Sequence, residues 1–309
     1  MSARFGTIHG QAFDVVVIGG GMAGAGIARH AALRGYHTLL LERGKRTEHY
    51  RTMARAETPQ LRGGDGYKEP RAGSREGTRA WEIEVRDALN GGGARITAQM
   101  VVNAASPWAD RVRPLAGVDR GRPCVRTTKG IHLLLPHITN HAVYIAAKRD
   151  ERMFFVIPWR TFSLAGTTDT DFEGDLDRVA ATREEVQYLL TETQRVFPSA
   201  RVREDEIAYT YAGVRPLAFE EGRAASAVSR EHKVIPESED ETFLSITGTK
   251  LTCYRSLAEV AVNQAGRPLN RSVPCRTHGL ALDGSDGDGT VEVPLLADAA
   301  DLSADRSGS

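Results

Sequence analysis

The 309-residue chain has little cysteine, no long apolar run and no secretion signal. Its three cysteines, Cys124, Cys253 and Cys275, form no Cys-x-x-Cys pair, which argues against a disulfide framework and a zinc site. No stretch approaches the roughly 18 apolar residues of a membrane span, and the first residues contain no hydrophobic signal-peptide core. We therefore expect a protein of a reducing compartment, neither secreted nor inserted in a membrane, with no bound metal.

Net charge is also absent. Lys plus Arg and Asp plus Glu number 40 each, so the formal net charge is zero, and we expect no binding of nucleic acid through the charge of the whole chain. Only six of the basic residues are lysines, which leaves 40 − 6 = 34 arginines and indicates coding bias before chemistry. The hydrophobic share of 41% is ordinary for a globular protein, and the length suits one or two domains.

The N-terminal region has the pattern of a βαβ unit. A continuous apolar run over 14–18 predicts a buried parallel strand, and an Ala-rich segment over 22–33 predicts a helix. A second buried strand is predicted over 37–41, and it ends at Glu42. This order of elements is typical of an α/β fold with a parallel sheet.

Further along the chain the patterns predict short strands and two more helices. Glycines at 91–93 between alternating runs predict a hairpin, a capping box at 182–185 begins a helix to about 197, and apolar spacing predicts a helix over 250–264. Residues 44–80 are predicted as a loop or disordered bridge, because they lack apolar periodicity. The predicted strands cover 81–86, 94–102, 131–135, 143–146, 153–157, 162–165, 207–214, 225–229 and 243–247.

Three glycines follow the first predicted strand with the spacing of a dinucleotide-binding turn. Gly19 permits the tight turn, Gly21 lets the backbone approach a pyrophosphate, and Gly24 lets helix and strand pack closely. Glu42 would accept hydrogen bonds from an adenosine ribose, and its charge disfavours a 2′-phosphate. A tight turn in another α/β protein has the same bare glycine pattern, but the flanking strands, helix and acid favour dinucleotide binding. These residues leave FAD and NAD open.

Six downstream stretches resemble the FAD-dependent glycerol-3-phosphate dehydrogenase family, in the family's order. The valine-arginine-proline run and the start of the last helix are the most specific, because they are not general features of flavoproteins. The stretches are VVNAASPW at 101–108, TKGIH at 128–132, FVIPW at 155–159, GTTD at 166–169, YAGVRPL at 211–217 and SITGTKLTCYR at 245–255.

The resemblance implies an α/β fold with a Rossmann-like FAD-binding domain that is discontinuous in sequence. Its pieces would be 10–106 and 240–268, an inserted α+β substrate domain would cover 107–239, and 269–309 would be a disordered tail. The implied reaction is oxidation of sn-glycerol 3-phosphate to dihydroxyacetone phosphate, with electrons passed to a quinone or another acceptor. The implied location is the cytoplasm, with peripheral contact at the inner face of the membrane as a further expectation.

The resemblance also assigns site residues. Arg215 and Arg230 correspond to phosphate-binding arginines and Lys250 to a lysine near the flavin, while His132 is a candidate proton acceptor or alternatively a core residue. Asp169 is interpreted as a turn-forming or domain-bridging carboxylate. The residues expected to contact the cofactor are Gly19, Gly21, Gly24, Glu42, Ala104, Ala105, Ser106, Gly248, Thr249, Lys250, Leu251 and Thr252.

The chain departs from the family in three places, one of which is the connecting region over 43–80, which is much shorter than in the family. A His-Gly-Gly segment that follows the second strand in the family has no counterpart here, and neither has the family's C-terminal helical domain. Three interpretations stay open: a shortened working dehydrogenase with His49 or His132 as the base, a catalytically impaired homologue that still binds FAD or has no stable fold, or an oxidoreductase for another small alcohol or amino compound.

Overall fold

The computed structural model describes residues 8–43, 53–55, 60–64, 80–86, 92–222, 228–248 and 250–280. The chain up to Pro274 forms one compact unit, and 275–309 form a second. The described part of the second unit contains a short 3-10 turn over Thr277–Gly279. In these described ranges every helix is too short or too polar to cross a membrane.

The described part of the first unit contains four α-helices and fourteen strands. The helices are α1 (Met22–Leu33), α2 (Ala109–Val112), α3 (Arg183–Val196) and α4 (Tyr254–Ala265). The strands are β1 (Ala12–Ile18), β2 (Thr38–Glu42), β3 (Met53–Arg55), β4 (Gln60–Gly64), β5 (Ala80–Arg86), β6 (Gly93–Asn103), β7 (Val125–Pro136), β8 (Val143–Ala146), β9 (Met153–Trp159), β10 (Phe162–Gly166), β11 (Thr170–Asp171), β12 (Tyr209–Ala218), β13 (Lys233–Pro236) and β14 (Phe243–Thr247).

The first sheet confirms the predicted parallel βαβ unit. Its strands follow the order β13-β14-β6-β1-β2-β3, with β1 parallel to both β2 and β6 and β14 parallel to β6. Strands β5 and β6 form the predicted antiparallel hairpin, and β4 extends it. Helices α1 and α4 pack on one face, where Ile27 and Ala31 share a buried cluster with Leu257 and Ala261. The predicted α/β fold class is confirmed.

The second sheet is antiparallel and is covered on one face. Its order is β11-β7-β10-β9-β8, and β12 pairs with most of β7, from Val125 to Leu134. Alternate residues of β7, among them Ile131 and Leu133, are buried against Leu189 of α3. The Thr182 side chain and the Glu185 side chain cap the start of α3 reciprocally, so the predicted capping box is confirmed.

Three local predictions differ from the structure. Strands β3 and β4 lie inside 44–80, which the sequence predicted to be without strands; the rest of that segment lies outside the described residues, apart from 80. The strand predicted over 225–229 is absent at 228–229, its other residues are not described, and β13 follows at Lys233–Pro236. Helix α4 begins at Tyr254, because a 3-10 turn over Leu251–Cys253 precedes it. The predicted domain boundaries stay predictions, although β13 joins the first sheet before residue 240.

Candidate functional site

The glycine turn between β1 and α1 is closely packed on one side and open on the other. Gly19 has a φ of 103°, and a Cβ on it would lie 2.4 Å from the carbonyl oxygen of Ala104. A Cβ on Gly24 would lie 1.8 Å from the carbonyl oxygen of Gly19. A Cβ on Gly21 would meet no atom within 4 Å, so the start of α1 faces open space. Two of the glycines are therefore needed for packing, and the third leaves room for a ligand.

The N-terminus of α1 has no side-chain cap and can accept an anion. Gly21 supplies no side-chain cap, and the first turn of this fully described helix contains no acidic residue. The first N–H groups of a helix and its dipole favour a negative group, and phosphates commonly occupy this position. The backbone N–H of Gly20 donates a hydrogen bond to Oε2 of Glu42 at the end of β2. The carboxylate predicted to bind ribose therefore lies beside the glycine turn.

The end of β6 contributes the third side of this region. Asn103 is fully buried, and its Nδ2 donates to the carbonyl oxygen of Ala109 at 3.0 Å. Its Oδ1 accepts from the backbone N–H of Ala105 at 3.3 Å, which fixes the turn that contains Ala104 and Ser106. Because the backbone N–H of Ala104 donates to the carbonyl oxygen of Ile18 at 2.8 Å, this turn is held against the end of β1.

The segment before α4 brings a cation to the same region. Gly248 has a φ of 65°, and its N–H donates to the carbonyl oxygen of Pro216 at 2.7 Å, which ties the end of β14 to β12. Lys250 is exposed and begins the 3-10 turn, in which Leu251 and Thr252 are also exposed. Thr249 lies outside the described residues.

One cavity of about 470 Å³ unites most of the predicted residues. Its walls come from the glycine turn and α1, the end of β6, strand β12, and the segments before β13 and α4. Among the predicted residues, its lining includes Gly21, Ala104, Ser106, Arg215, Arg230, Gly248, Lys250 and Leu251. Predicted residues that lie outside the lining are Gly19, Gly24, Glu42, Ala105, Thr252 and His132.

Arg215 is the best-supported cation of the cavity. Its Nη2 donates to Oγ1 of Thr167 at 2.8 Å, and both terminal nitrogens lie 3.3 Å from the carbonyl oxygen of Thr168. The guanidinium lies over Gly130 of β7, where a Cβ would come within 2.3 Å of Nη2. Burial, partly offset by the charge of Asp169, lowers the pKa of Arg215 from its ordinary value. A guanidinium with this much burial favours an anionic partner.

Arg230 joins Arg215 through a shared carboxylate. Nη1 of Arg215 lies 3.3 Å from Oδ1 of Asp169, and Nη2 of Arg230 lies 3.2 Å from Oδ2 of the same side chain. The Arg230 side chain is 52% exposed, whereas that of Asp169 is 13% exposed. The sequence interpretation of Asp169 as a turn or bridging residue missed its contact with both arginines, since only the folded chain brings the three together.

His132 lies on the same face of the second sheet as Arg215. Residues 128, 130 and 132 of β7 pair directly with 215, 213 and 211 of β12, so their side chains share one face. The imidazole stacks on Tyr211 with ring centres 4.7 Å apart. Burial and, secondarily, the charge of Arg215 lower the pKa of His132, so the ring is neutral at pH 7. Its Nδ1 is buried without a hydrogen-bond partner among the described residues.

A family model described as FAD dependent oxidoreductase matches residues 14–87 and 56–240 of the chain. These two matches together extend over more than half of the sequence, from the first strand to β13. The chain belongs to the FAD dependent oxidoreductase family. The prediction of FAD as the cofactor is thereby confirmed, and the choice between FAD and NAD that the glycine pattern left open is decided.

Curated relatives agree with the resemblance seen in the motifs. A glycerol-3-phosphate dehydrogenase of Synechocystis is 35% identical over 220 residues, which are 66% of this chain and 39% of the relative. An aerobic glycerol-3-phosphate dehydrogenase of Staphylococcus aureus is 35% identical over 216 residues, which are 67% of this chain and 38% of the relative. The predicted resemblance is confirmed, and the chain spans about two fifths of the length of these relatives.

Two solved structures have the same fold. A glycerol-3-phosphate dehydrogenase of Bacillus halodurans complexed with FAD superposes with a TM-score of 0.69 at 24% identity, covering 88% of this chain and 68% of that one. An L-alpha-glycerophosphate oxidase of Mycoplasma pneumoniae with FAD bound gives 0.58 at 12% identity, covering 86% and 96%. At these identities the likeness shows the fold.

The described residues of this FAD dependent oxidoreductase fit the cofactor of its family. The open side of the turn at Gly21 and the uncapped start of α1 suit a pyrophosphate. Glu42 at the end of β2 lies beside the glycine turn, and the cavity begins at Gly21. The individual contacts predicted for the cofactor-binding residues stay predictions.

Proposed function

We propose that the chain oxidises sn-glycerol 3-phosphate to dihydroxyacetone phosphate with FAD and passes the electrons to a quinone-type or other acceptor. The observation that carries this proposal is the cavity in which Arg215, Arg230 and Lys250 meet the glycine turn of the first sheet. A small phosphorylated alcohol needs cations for its phosphate and a reacting carbon held next to the cofactor. The cavity supports the proposal because it has three cations beside the glycine turn.

The arginine pair supports a phosphate ligand. Guanidinium groups match the oxygen geometry of phosphate, and their charge-assisted hydrogen bonds are about twice as strong as neutral ones. Arg215 is held by Thr167 and Thr168, so it loses little conformational freedom on binding. Arg230 is exposed at the edge and can close on the ligand from the other side. Glycerol without a phosphate would leave both cations unused.

Lys250 and the segment before α4 support the chemistry at the other end of the ligand. Bound FAD supplies the two-electron acceptor for oxidation of the alcohol carbon. The ammonium of Lys250 and the N–H groups at the start of the 251–253 turn place positive charge at this wall of the cavity. The hydroxyl of the ligand must also lose a proton, which requires a neutral base nearby.

His132 is the candidate for that base within the described part of the chain. Its lowered pKa keeps the imidazole neutral at pH 7, and the guanidinium of Arg215 lies over Gly130, between the two residues on the same face of the sheet. His49, the other candidate from the sequence, lies outside the described residues. His132 would take the hydroxyl proton while Arg215 holds the phosphate.

The organisation implied by the resemblance belongs to the same proposal. The first sheet would form the FAD-binding domain from 10–106 and 240–268, and 107–239 would form the substrate domain. Quinone reduction would place the protein in the cytoplasm, in peripheral contact with the inner face of the membrane. Binding of the FAD-loaded protein to vesicles of membrane lipid tests that contact.

A dye-linked assay tests the proposed activity. FAD-loaded protein with sn-glycerol 3-phosphate and an artificial electron acceptor should reduce the dye and form dihydroxyacetone phosphate, and glycerol should give no reduction. If the purified protein binds no FAD, the proposed FAD-dependent reaction is wrong. FAD uptake without dye reduction would favour the impaired homologue, and reduction only by another alcohol or amino compound would favour a different substrate.

A further inference from the structure

Asp169 occupies the position where an incoming anion would contact the arginine pair. One carboxylate oxygen lies 3.3 Å from Nη1 of Arg215, and the other lies 3.2 Å from Nη2 of Arg230. Charge-assisted hydrogen bonds between such groups are usually about 2.7–2.9 Å long. The carboxylate therefore bridges two cations through long single contacts instead of forming a bidentate pair with either one.

The terminal nitrogens of Arg215 are already engaged. Nη2 donates to Thr167 Oγ1 and Thr168 O, while Nη1 is shared between Thr168 O and Asp169 Oδ1. A phosphate that binds these nitrogens must replace one of the acceptors. Of the three acceptors, only Asp169 carries a charge and also contacts the second arginine. The contacts of Thr168 O are equally long, but that oxygen belongs to the backbone, whereas the Asp169 carboxylate is on a side chain that can move; it is therefore the acceptor that an anion can displace.

Asp169 is not required to hold Arg215 in place. Thr167 Oγ1 accepts from Arg215 at the shortest of its distances, 2.8 Å, and the glycine at position 130 gives the guanidinium its space. The backbone of Asp169 is fixed separately, because its carbonyl oxygen accepts a hydrogen bond from Nη1 of Arg152. The side chain can therefore turn away from the arginines while its backbone stays where it is.

We propose that Asp169 is an internal anion that neutralises the Arg215–Arg230 pair in the empty cavity and is displaced by the phosphate of the substrate. The inference rests on the proposed function only in taking a phosphate as the ligand of this pair. Its consequence is a lowered affinity for every phosphate-bearing ligand, product included. Asp169 then helps to release the product, because its carboxylate returns to the arginines as the phosphate leaves.

Calorimetric titration of the FAD-loaded protein with inorganic phosphate tests this displacement without relying on turnover. Asp169→Asn keeps the shape of the side chain and removes its charge, so it should lower the Kd for phosphate about tenfold, since one competing charged hydrogen-bonding group is lost. Asp169→Glu keeps the charge and should stay near the wild-type Kd. Asp205→Asn, which breaks the exposed pair with Arg203, is the remote control and should change nothing.

The phosphate titration has different outcomes for a failure of the Asp169 proposal and for a failure of the proposed function. If wild-type protein binds phosphate and Asp169→Asn binds it equally or more weakly, the carboxylate organises the arginines or is neutral, and the inference is overturned. If neither protein binds phosphate, the arginine pair is no phosphate site, and the proposed function fails with it. Should Asp169→Asn not fold, Asp169→Ser carries the same expectation, because it also removes the charge.

Discussion

The two sheets contribute to the cavity in different ways. The first sheet offers backbone: a turn whose glycines permit close packing, an uncapped start of α1, and the turn after Asn103. The second sheet and the segment after it offer side chains, namely Arg215, Asp169 and Arg230. A site made of backbone groups can be predicted from the spacing of nearby residues in the sequence. A site made of side chains depends on which strands pair in the folded chain.

The starts of α1 and α3 show the same difference on a smaller scale. Thr182 and Glu185 cap α3 reciprocally, so its first N–H groups are satisfied within the protein. Gly21 gives α1 no such side-chain cap. A helix start left uncapped beside a cavity is suited to an anion from outside the chain. The comparison separates a helix end that stabilises the fold from one that is available to a ligand.

The largest effect that would test this comparison is expected in the glycine turn. Gly24→Ala should prevent folding or destabilise the protein by about 3 kcal/mol or more, because its Cβ would lie 1.8 Å from Gly19 O. Gly21→Ala, whose Cβ meets no protein atom, should keep the wild-type melting temperature and lose FAD affinity. Thermal melts and flavin content of the two variants check both statements. Equal stability of the two variants would refute the division of roles.

Loss of the central cation should affect the ligand and spare the cofactor. Arg215→Gln is expected to raise the half-saturating concentration of sn-glycerol 3-phosphate about 100-fold, since charged hydrogen bonds contribute about 1.5–3 kcal/mol each. Its flavin content should match wild type, because the first sheet is untouched. Arg203→Gln, in an exposed pair with Asp205, is the matched control. A normal half-saturating concentration in Arg215→Gln removes that residue from the site.

The buried histidine of α1, His30, should make the stability of the protein depend on pH. Burial, followed by the charge of Arg34, lowers the pKa of His30 from 6.5 to about 4. The unfolded chain binds a proton at His30 more readily than the folded chain does. The contribution of neutral His30 to the free energy of unfolding is therefore complete above pH 6.5 and falls as the pH drops towards 4. Between pH 7 and pH 5 the free energy of unfolding should fall by about 2 kcal/mol because of His30. Urea unfolding at both pH values should show a smaller loss of unfolding free energy in His30→Gln than in wild type. Identical losses in the two proteins would contradict this role of His30.

The smallest expected effect belongs to the capped helix. Thr182→Ala should lower the free energy of unfolding by about 1 kcal/mol, because the hydrogen bond to the N–H of Glu185 is lost. Thr182→Ser keeps an acceptor and should recover most of that loss. Denaturant unfolding of both variants provides the check. A loss in Thr182→Ala as small as that expected in Gly21→Ala would erase the difference between the two helix starts.

The sequence predicted best where structure depends on neighbours along the chain. The βαβ unit, the β5–β6 hairpin and the cap of α3 all arise from spacing within a few residues, and the structure contains each of them. Strands β3, β4 and β13 were missed although each pairs with the strand next to it in the chain, because they are only 3, 5 and 4 residues long and too short to show an alternating pattern.

The side-chain site was only partly predictable. Resemblance to a family pointed to Arg215, Arg230 and Lys250, and the cavity brings all three together. The contact of Asp169 with both arginines could not be read from the sequence, since the residues are 46 and 61 positions apart in the chain. Only the folded chain places this carboxylate between the two arginines.

The most direct test of the account is an anaerobic titration of the FAD-loaded protein with sn-glycerol 3-phosphate, followed by the visible absorbance of the flavin. The oxidised flavin band should be lost with sn-glycerol 3-phosphate and persist with glycerol at the same concentration. A protein that holds FAD firmly and keeps the full band at saturating sn-glycerol 3-phosphate would contradict it.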